Sequence, residues 1–262
     1  MKTLQCLAGL LLMALAGHAS ATGSLRIAAA ADLKFAMDEI AATFRQSHPD
    51  ARVEVIYGSS GNFKAQIQQG APFDLFFSAD IAFPRELREA GLAASEVRPY
   101  ATGRIVLWSG QTDASKLTLA DLTSADYRKI AIANPTHAPY GKRAEEALRA
   151  SGVWGKVEPR LVYGENIAQT AQFVQSGNAQ IGIIALSLAL NPELAGKGGM
   201  AGYYLIPDAL HEPLEQGFII TRRAAGNPLA RDFADFMDST AARATMVRYG
   251  FVLPGEQRAI GP

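Results

Sequence analysis

Short, largely apolar runs alternate along this chain with segments in which apolar residues recur at helical spacing. The first run, residues 25–31, reads as a strand buried on both faces. After it, Leu33, Met37, Ile40 and Phe44 mark one face of a helix opened by Asp32. Residues 53–56 form the next strand. The turn Tyr57-Gly58-Ser59-Ser60-Gly61-Asn62 then leads into a helix over 63–69, stopped by Gly70 with Pro72 beyond. Residues 73–77 give a third strand and 82–90 a helix ended by Gly91. This alternation predicts an α/β fold with a mainly parallel sheet covered by helices on both faces.

The pattern then restarts. Strands are expected at 104–109, 129–133, 160–163 and 181–185. A short helix is expected at Leu119–Thr123, a longer one over 140–152, and another running from Asn166 to Gly177. Residues 203–206 and 217–221 read as strands near a return crossing, and two helices close the chain, at 228–237 and 241–249. The reading is two lobes, with 22–102 and 222–262 forming the first and 103–221 the second. Ligands of open α/β sheets sit at the carboxyl ends of the strands, so two facing lobes enclose a cleft there that can close on a hinge.

Composition removes several classes of function. Lys2 precedes an apolar run that ends near Gly17, and Ala19-Ser20-Ala21 is a small-x-small triplet, so residues 1–21 read as an export signal and the protein as periplasmic. The single cysteine, Cys6, lies within that run, which leaves the mature chain without thiol or disulfide chemistry. Removing Lys2 from the 25 basic residues leaves 24 against 25 acidic ones. With no basic block, nucleic acid is not an expected partner. There is no Gly-x-x-x-x-Gly-Lys-Ser/Thr loop and no Gly-x-Ser-x-Gly elbow, so neither ATP hydrolysis nor serine-elbow catalysis is indicated.

The informative chemistry is in the turns. Ala31-Asp32, Ser59-Ser60, Pro139-Tyr140 and Asn166-Ile167 each join a predicted strand to a helix, and none contains Lys or Arg. A helix start presents N–H groups with no intrahelical partner together with the positive end of the helix dipole, which suits an oxyanion. Charge-assisted hydrogen bonds of this kind contribute about 1.5–3 kcal/mol each. Each turn alone is better explained as an ordinary cap; the recurrence is what suggests a site.

Several stretches resemble the periplasmic molybdate-binding proteins of ABC transporters. They are Ala29-Ala30-Ala31-Asp32-Leu33-Lys34, Gly58-Ser59-Ser60-Gly61-Asn62, Gly70-Ala71-Pro72-Phe73-Asp74-Leu75-Phe76-Phe77-Ser78-Ala79-Asp80, Asn134-Pro135-Thr136-His137-Ala138-Pro139-Tyr140-Gly141, Ile181-Gly182-Ile183-Ile184-Ala185 and Arg248-Tyr249-Gly250-Phe251. The resemblance implies a two-lobed, type II-like periplasmic binding fold. It also implies a monomeric carrier that holds molybdate, or tungstate, and passes it to a membrane permease. Carried over, the oxyanion-binding residues are Ala31, Asp32, Ser60, Tyr140 and Ile167, with Ser59 beside them. The metal is held as its oxyanion with no direct protein ligand, and no cofactor or catalytic residue is implied.

Two positions depart from the family pattern. Ala185 stands where some members carry a Tyr hydroxyl, and Asp32 stands where others have Ser or Asn. A carboxylate about 4 Å from a dianion would cost roughly 4 kcal/mol per pair of unit charges. Asp32 is therefore expected to turn its side chain away and cap its own helix while its N–H faces the anion. Competing readings are a sulfate-like oxyanion carrier, an enzyme on the same fold, a regulator's sensor domain, or a ferric-iron carrier using Tyr203-Tyr204. Adjacent strand residues point to opposite faces, which disfavours the tyrosine pair. His137, Asp74 and Asp80 are expected to be structural.

Overall fold

The computed structural model describes residues 23–192 and 202–256. The expected export signal at 1–21 lies outside the described residues. In chain order the elements are β1 (Ser24–Ala30), a 3-10 turn (Ala31–Leu33) running into α1 (Lys34–Ser47), β2 (Arg52–Gly58), α2 (Ser60–Gln68), β3 (Leu75–Ser78), α3 (Ala82–Glu89), β4 (Arg98–Gly103) and β5 (Ile105–Trp108). There follow β6 (Ile130–Ala133), α4 (Pro139–Ala150), α5 (Trp154–Val157), β7 (Leu161–Gly164), α6 (Ile167–Gln175), β8 (Ile181–Ala185) and α7 (Leu186–Ala189). The chain closes with β9 (Tyr203–Leu205), β10 (Leu214–Ile220), α8 (Pro228–Phe236) and α9 (Thr240–Arg248).

The strands form two five-stranded sheets, ordered β2-β1-β3-β10-β4 and β7-β6-β8-β5-β9. In the first, β2, β1 and β3 run parallel, while β10 pairs antiparallel with β3 and β4. In the second, β7, β6 and β8 run parallel and β5 pairs antiparallel with β8 and β9. The central strands are buried on both faces, which is why β3, β5, β6 and β8 read as unbroken apolar runs.

Three observations revise the sequence reading. β10, assigned there to the second lobe up to residue 221, belongs to the first sheet: Phe218 sits opposite Phe77 and Ile219 opposite Phe76. The return crossing therefore precedes Leu214. β4 was not expected at all, and each sheet carries an antiparallel pair beside its parallel strands. α2 begins at Ser60 rather than Phe63.

Each sheet has its own core. Phe44 of α1, Phe77 of β3, Phe233 of α8 and Met246 of α9 pack around the first sheet, so the closing helices do fold back onto it. Trp108, Ile132, Leu148 and Ile183 pack around the second. Among the described residues no helix is long and apolar enough to cross a membrane.

Candidate functional site

The carboxyl ends of β1, β2, β6 and β7 meet between the two sheets. There Ala31, Asp32, Ser59, Ser60, Tyr140 and Ile167 all line one cavity of about 190 Å³ of empty space, with Ala79 and Ala138 completing the wall. Wider surface grooves, such as the one of about 570 Å³ beside Lys34 and Phe35, include none of these six residues. The cavity wall contains no Lys, Arg or His.

Each helix start reaches the cavity for a local reason. Ser59 is the N-cap of α2 in an extended conformation, so Ser60 begins the helix with its N–H free of intrahelical duty. Pro139 opens α4 at a position where its missing N–H is no loss, and Tyr140 follows. Asn166 caps α6 by accepting from the N–H groups of Ala168 and Gln169 at 3.0 Å each, leaving the Ile167 N–H uncommitted by that cap.

The two serines divide their work. The Ala79 N–H donates to Ser60 Oγ at 3.0 Å, so the Ser60 hydroxyl proton is available to a guest. Ser59 instead donates to the carbonyl of His137 in the other lobe, at 2.5 Å. The Gly61 N–H donates to the same carbonyl at 3.0 Å. Only a glycine allows this approach, because a Cβ at position 61 would stand 2.6 Å from His137 O. His137 Nδ1 lies 2.9 Å from Ser59 Oγ, and since that hydroxyl gives its proton to the carbonyl, Nδ1–H is the donor here. Asn62 Nδ2 donates to Glu165 at 2.6 Å, and His137 Nε2 stands 3.7 Å from the same carboxylate. The Ser-Ser turn is thus also the point where the lobes grip one another.

Asp32 does not cap its helix. The N-cap is Ala30, with no side-chain cap, and Asp32 is already inside the turn. It is 1% exposed, and Oδ2 accepts from Tyr140 Oη at 2.9 Å and Gln216 Nε2 at 2.8 Å. Oδ1 is buried without a partner. Burial pushes this carboxyl up to about 6, against the downward pull of the Gln216 and Tyr140 hydrogen bonds. Burial and the nearby carboxylate also hold the Tyr140 hydroxyl well above its usual range, so it remains a donor. Ser187 of α7 donates to the Asp32 backbone carbonyl at 2.7 Å.

Gln216 and Ser187 went unnoticed in the sequence, and no local signal marks them: they lie 184 and 155 residues from Asp32. Of the residues expected to be structural, Asp74 accepts from the Arg26 N–H at 2.8 Å, and Asp80 accepts from the Ala82 N–H at 2.9 Å at the head of α3. Tyr203 and Tyr204 lie on edge strand β9, outside the cavity wall. Among the described residues no group of three or more His, Cys, Asp or Glu side chains is placed to hold a metal ion.

Residues 25–252 match the family described as bacterial extracellular solute-binding protein. The molybdate-binding protein ModA of Azotobacter vinelandii is 34% identical over 237 residues, covering 90% of this chain and 92% of that protein. ModA of Rhodobacter capsulatus is 34% identical over 235 residues, covering 89% and 90%. The solved periplasmic molybdate-binding protein of Azotobacter vinelandii superposes with a TM-score of 0.79 at 30% identity, over 88% of this chain and 99% of its own. The chain belongs to the family of bacterial extracellular solute-binding proteins that includes these molybdate-binding proteins.

Proposed function

We propose that this protein captures molybdate, or tungstate, in the cavity between its lobes and delivers it to the membrane permease of an ABC transporter. The observation that carries the reading is a cation-free cavity of converging helix starts in a chain 34% identical to molybdate-binding proteins. Ser60 gives its hydroxyl proton, and the N–H groups of Ala31, Asp32, Ser60, Tyr140 and Ile167 supply the remaining donors. Residues 1–21 direct export, the mature chain works in the periplasm as a monomer, and the closed, loaded form is the one the permease accepts. No bond is made or broken; what the protein produces is a conformation.

Melting the protein with molybdate, tungstate, sulfate, phosphate and ferric iron in turn tests this. Ligand at about 100 times Kd adds about 2.7 kcal/mol, which raises the melting temperature by roughly 5–10 °C for a chain of this length. The expected result is a shift of that size with molybdate and tungstate. A shift with sulfate, phosphate or iron, and none with molybdate or tungstate, overturns the reading.

A further inference from the structure

The least expected group in the cavity is Asp32. An anion carrier has placed a carboxyl in the wall of its anion site, 1% exposed, and left one of its two oxygens with no hydrogen-bond partner. The asymmetry between those oxygens is informative. Oδ2 takes two donors, from Tyr140 of α4 and Gln216 of β10, and is saturated as an acceptor. Oδ1 has neither donor nor acceptor and is shielded from water. In the ionised state this is a poor arrangement, since buried charge calls for full hydrogen bonding. In the neutral state no charge is buried, and with Oδ2 as the carbonyl oxygen the proton on Oδ1 needs only one acceptor, which an oxyanion would supply.

We infer that the oxyanion is bound together with one proton, held on Oδ1 of Asp32, which changes this side chain from a repelling charge into a hydrogen-bond donor to the guest. The inference rests on the molybdate reading above and deepens it. The proton comes from solvent, because molybdate carries none at neutral pH.

Burial favours this and prevails over the opposing pull of the donors around the carboxyl. Facing it are Tyr140 from α4, Gln216 from β10 and Tyr100 from β4, with the amides of Asp32 and Leu33 on its own turn. None of these is a cation. Ser187 from α7 meets only the backbone carbonyl. Burial, net of the opposing hydrogen bonds, already brings the empty site to about 6, and a dianion brought alongside moves it further up. His137 lies at the Ser59 and Glu165 contact rather than in the cavity wall.

Titration calorimetry of molybdate into the full chain, run in two buffers of equal pH and different ionisation enthalpy, reads the proton directly. At about pH 7.5 the expected uptake is about one proton per anion in the wild type, near zero in Asp32→Asn with binding retained, and unchanged in His137→Gln. Binding by the wild type without proton uptake overturns the inference, as does uptake that persists in Asp32→Asn. Failure of the wild type to bind molybdate at all counts instead against the function proposed above. Should Asp32→Asn not fold, infrared difference spectra of the wild type decide the matter. A protonated-carboxyl band that appears on adding molybdate and moves on isotopic labelling of aspartate supports the inference, and its absence refutes it.

Discussion

Replacing Asp32 by Asn should stabilise the ligand-free protein, and by an amount that grows with pH. The carboxyl sits at about 6 in the fold against an ordinary value of 3.8. The folded chain therefore holds this proton more tightly than the unfolded chain. The resulting stabilisation is fully present below about 3.8 and is lost as pH rises through about 6. Above that, keeping the ionised group in its buried place costs about 3 kcal/mol relative to the neutral one, at 1.36 kcal/mol for each factor of ten in proton affinity. At about pH 4.5 roughly 2 kcal/mol of that has been recovered.

Asn has the same shape and keeps an oxygen for Tyr140 and Gln216, but never ionises. Whatever it loses by placing an amide where Oδ1 stands is independent of pH and cancels when two pH values are compared. The melting temperature of Asp32→Asn relative to the wild type should then be about 4–8 °C more favourable at about pH 8 than at about pH 4.5. Scanning calorimetry of both proteins without anion measures this. An equal difference at both pH values, or a larger one in acid, would falsify the claim that burial controls this carboxyl.

The other substitutions separate donor chemistry from lobe closure. Ser60→Ala removes one hydroxyl donor, worth about 1.5–3 kcal/mol against a charged acceptor, so molybdate affinity should fall roughly 10- to 150-fold by calorimetry, and a loss under threefold would remove Ser60 from the site. Gly61→Ala sets a methyl group 2.6 Å from His137 O across the lobes. It should weaken anion binding and lower the melting temperature of the empty protein, and wild-type affinity would show that the lobes need not meet here.

The parts of the fold that were legible in the sequence are those written locally. The strands β6 and β8, and the apolar stretches 27–30 of β1 and 75–77 of β3, announce themselves because both faces are buried there. The six cavity residues could be named because each sits at a strand-to-helix turn, where small residues and caps are a short-range signal. β4 was missed because Arg98-Pro99-Tyr100-Ala101-Thr102-Gly103 carries no apolar run; it becomes a strand through pairing with β10, more than a hundred positions later. β10 was given to the wrong lobe for the same reason: its own sequence says strand, but not with which neighbour.

Asp32 shows most clearly where local reasoning stops. Its type and position make it an ideal helix cap, and seen only with its sequence neighbours the carboxylate had to turn away from the anion. In the structure the donors it meets are Tyr140 and Gln216, 108 and 184 residues distant. Gly103 allows them to gather there, since a Cβ at that position would lie 2.2 Å from the Tyr140 hydroxyl and 2.6 Å from Gln216 Nε2. One donor from each lobe, Tyr140 from the second and Gln216 from β10 of the first, thus fixes the same carboxylate, one that no cation compensates. An arrangement that spans both lobes exists in full only when they are closed. Asp32 is cut off from water with the lobes together and the cavity empty, so a dianion entering the cavity meets an uncompensated carboxylate. A carrier built this way must resolve that conflict each time it loads, and a proton on Oδ1 resolves it without adding a fixed positive charge that would attract every anion.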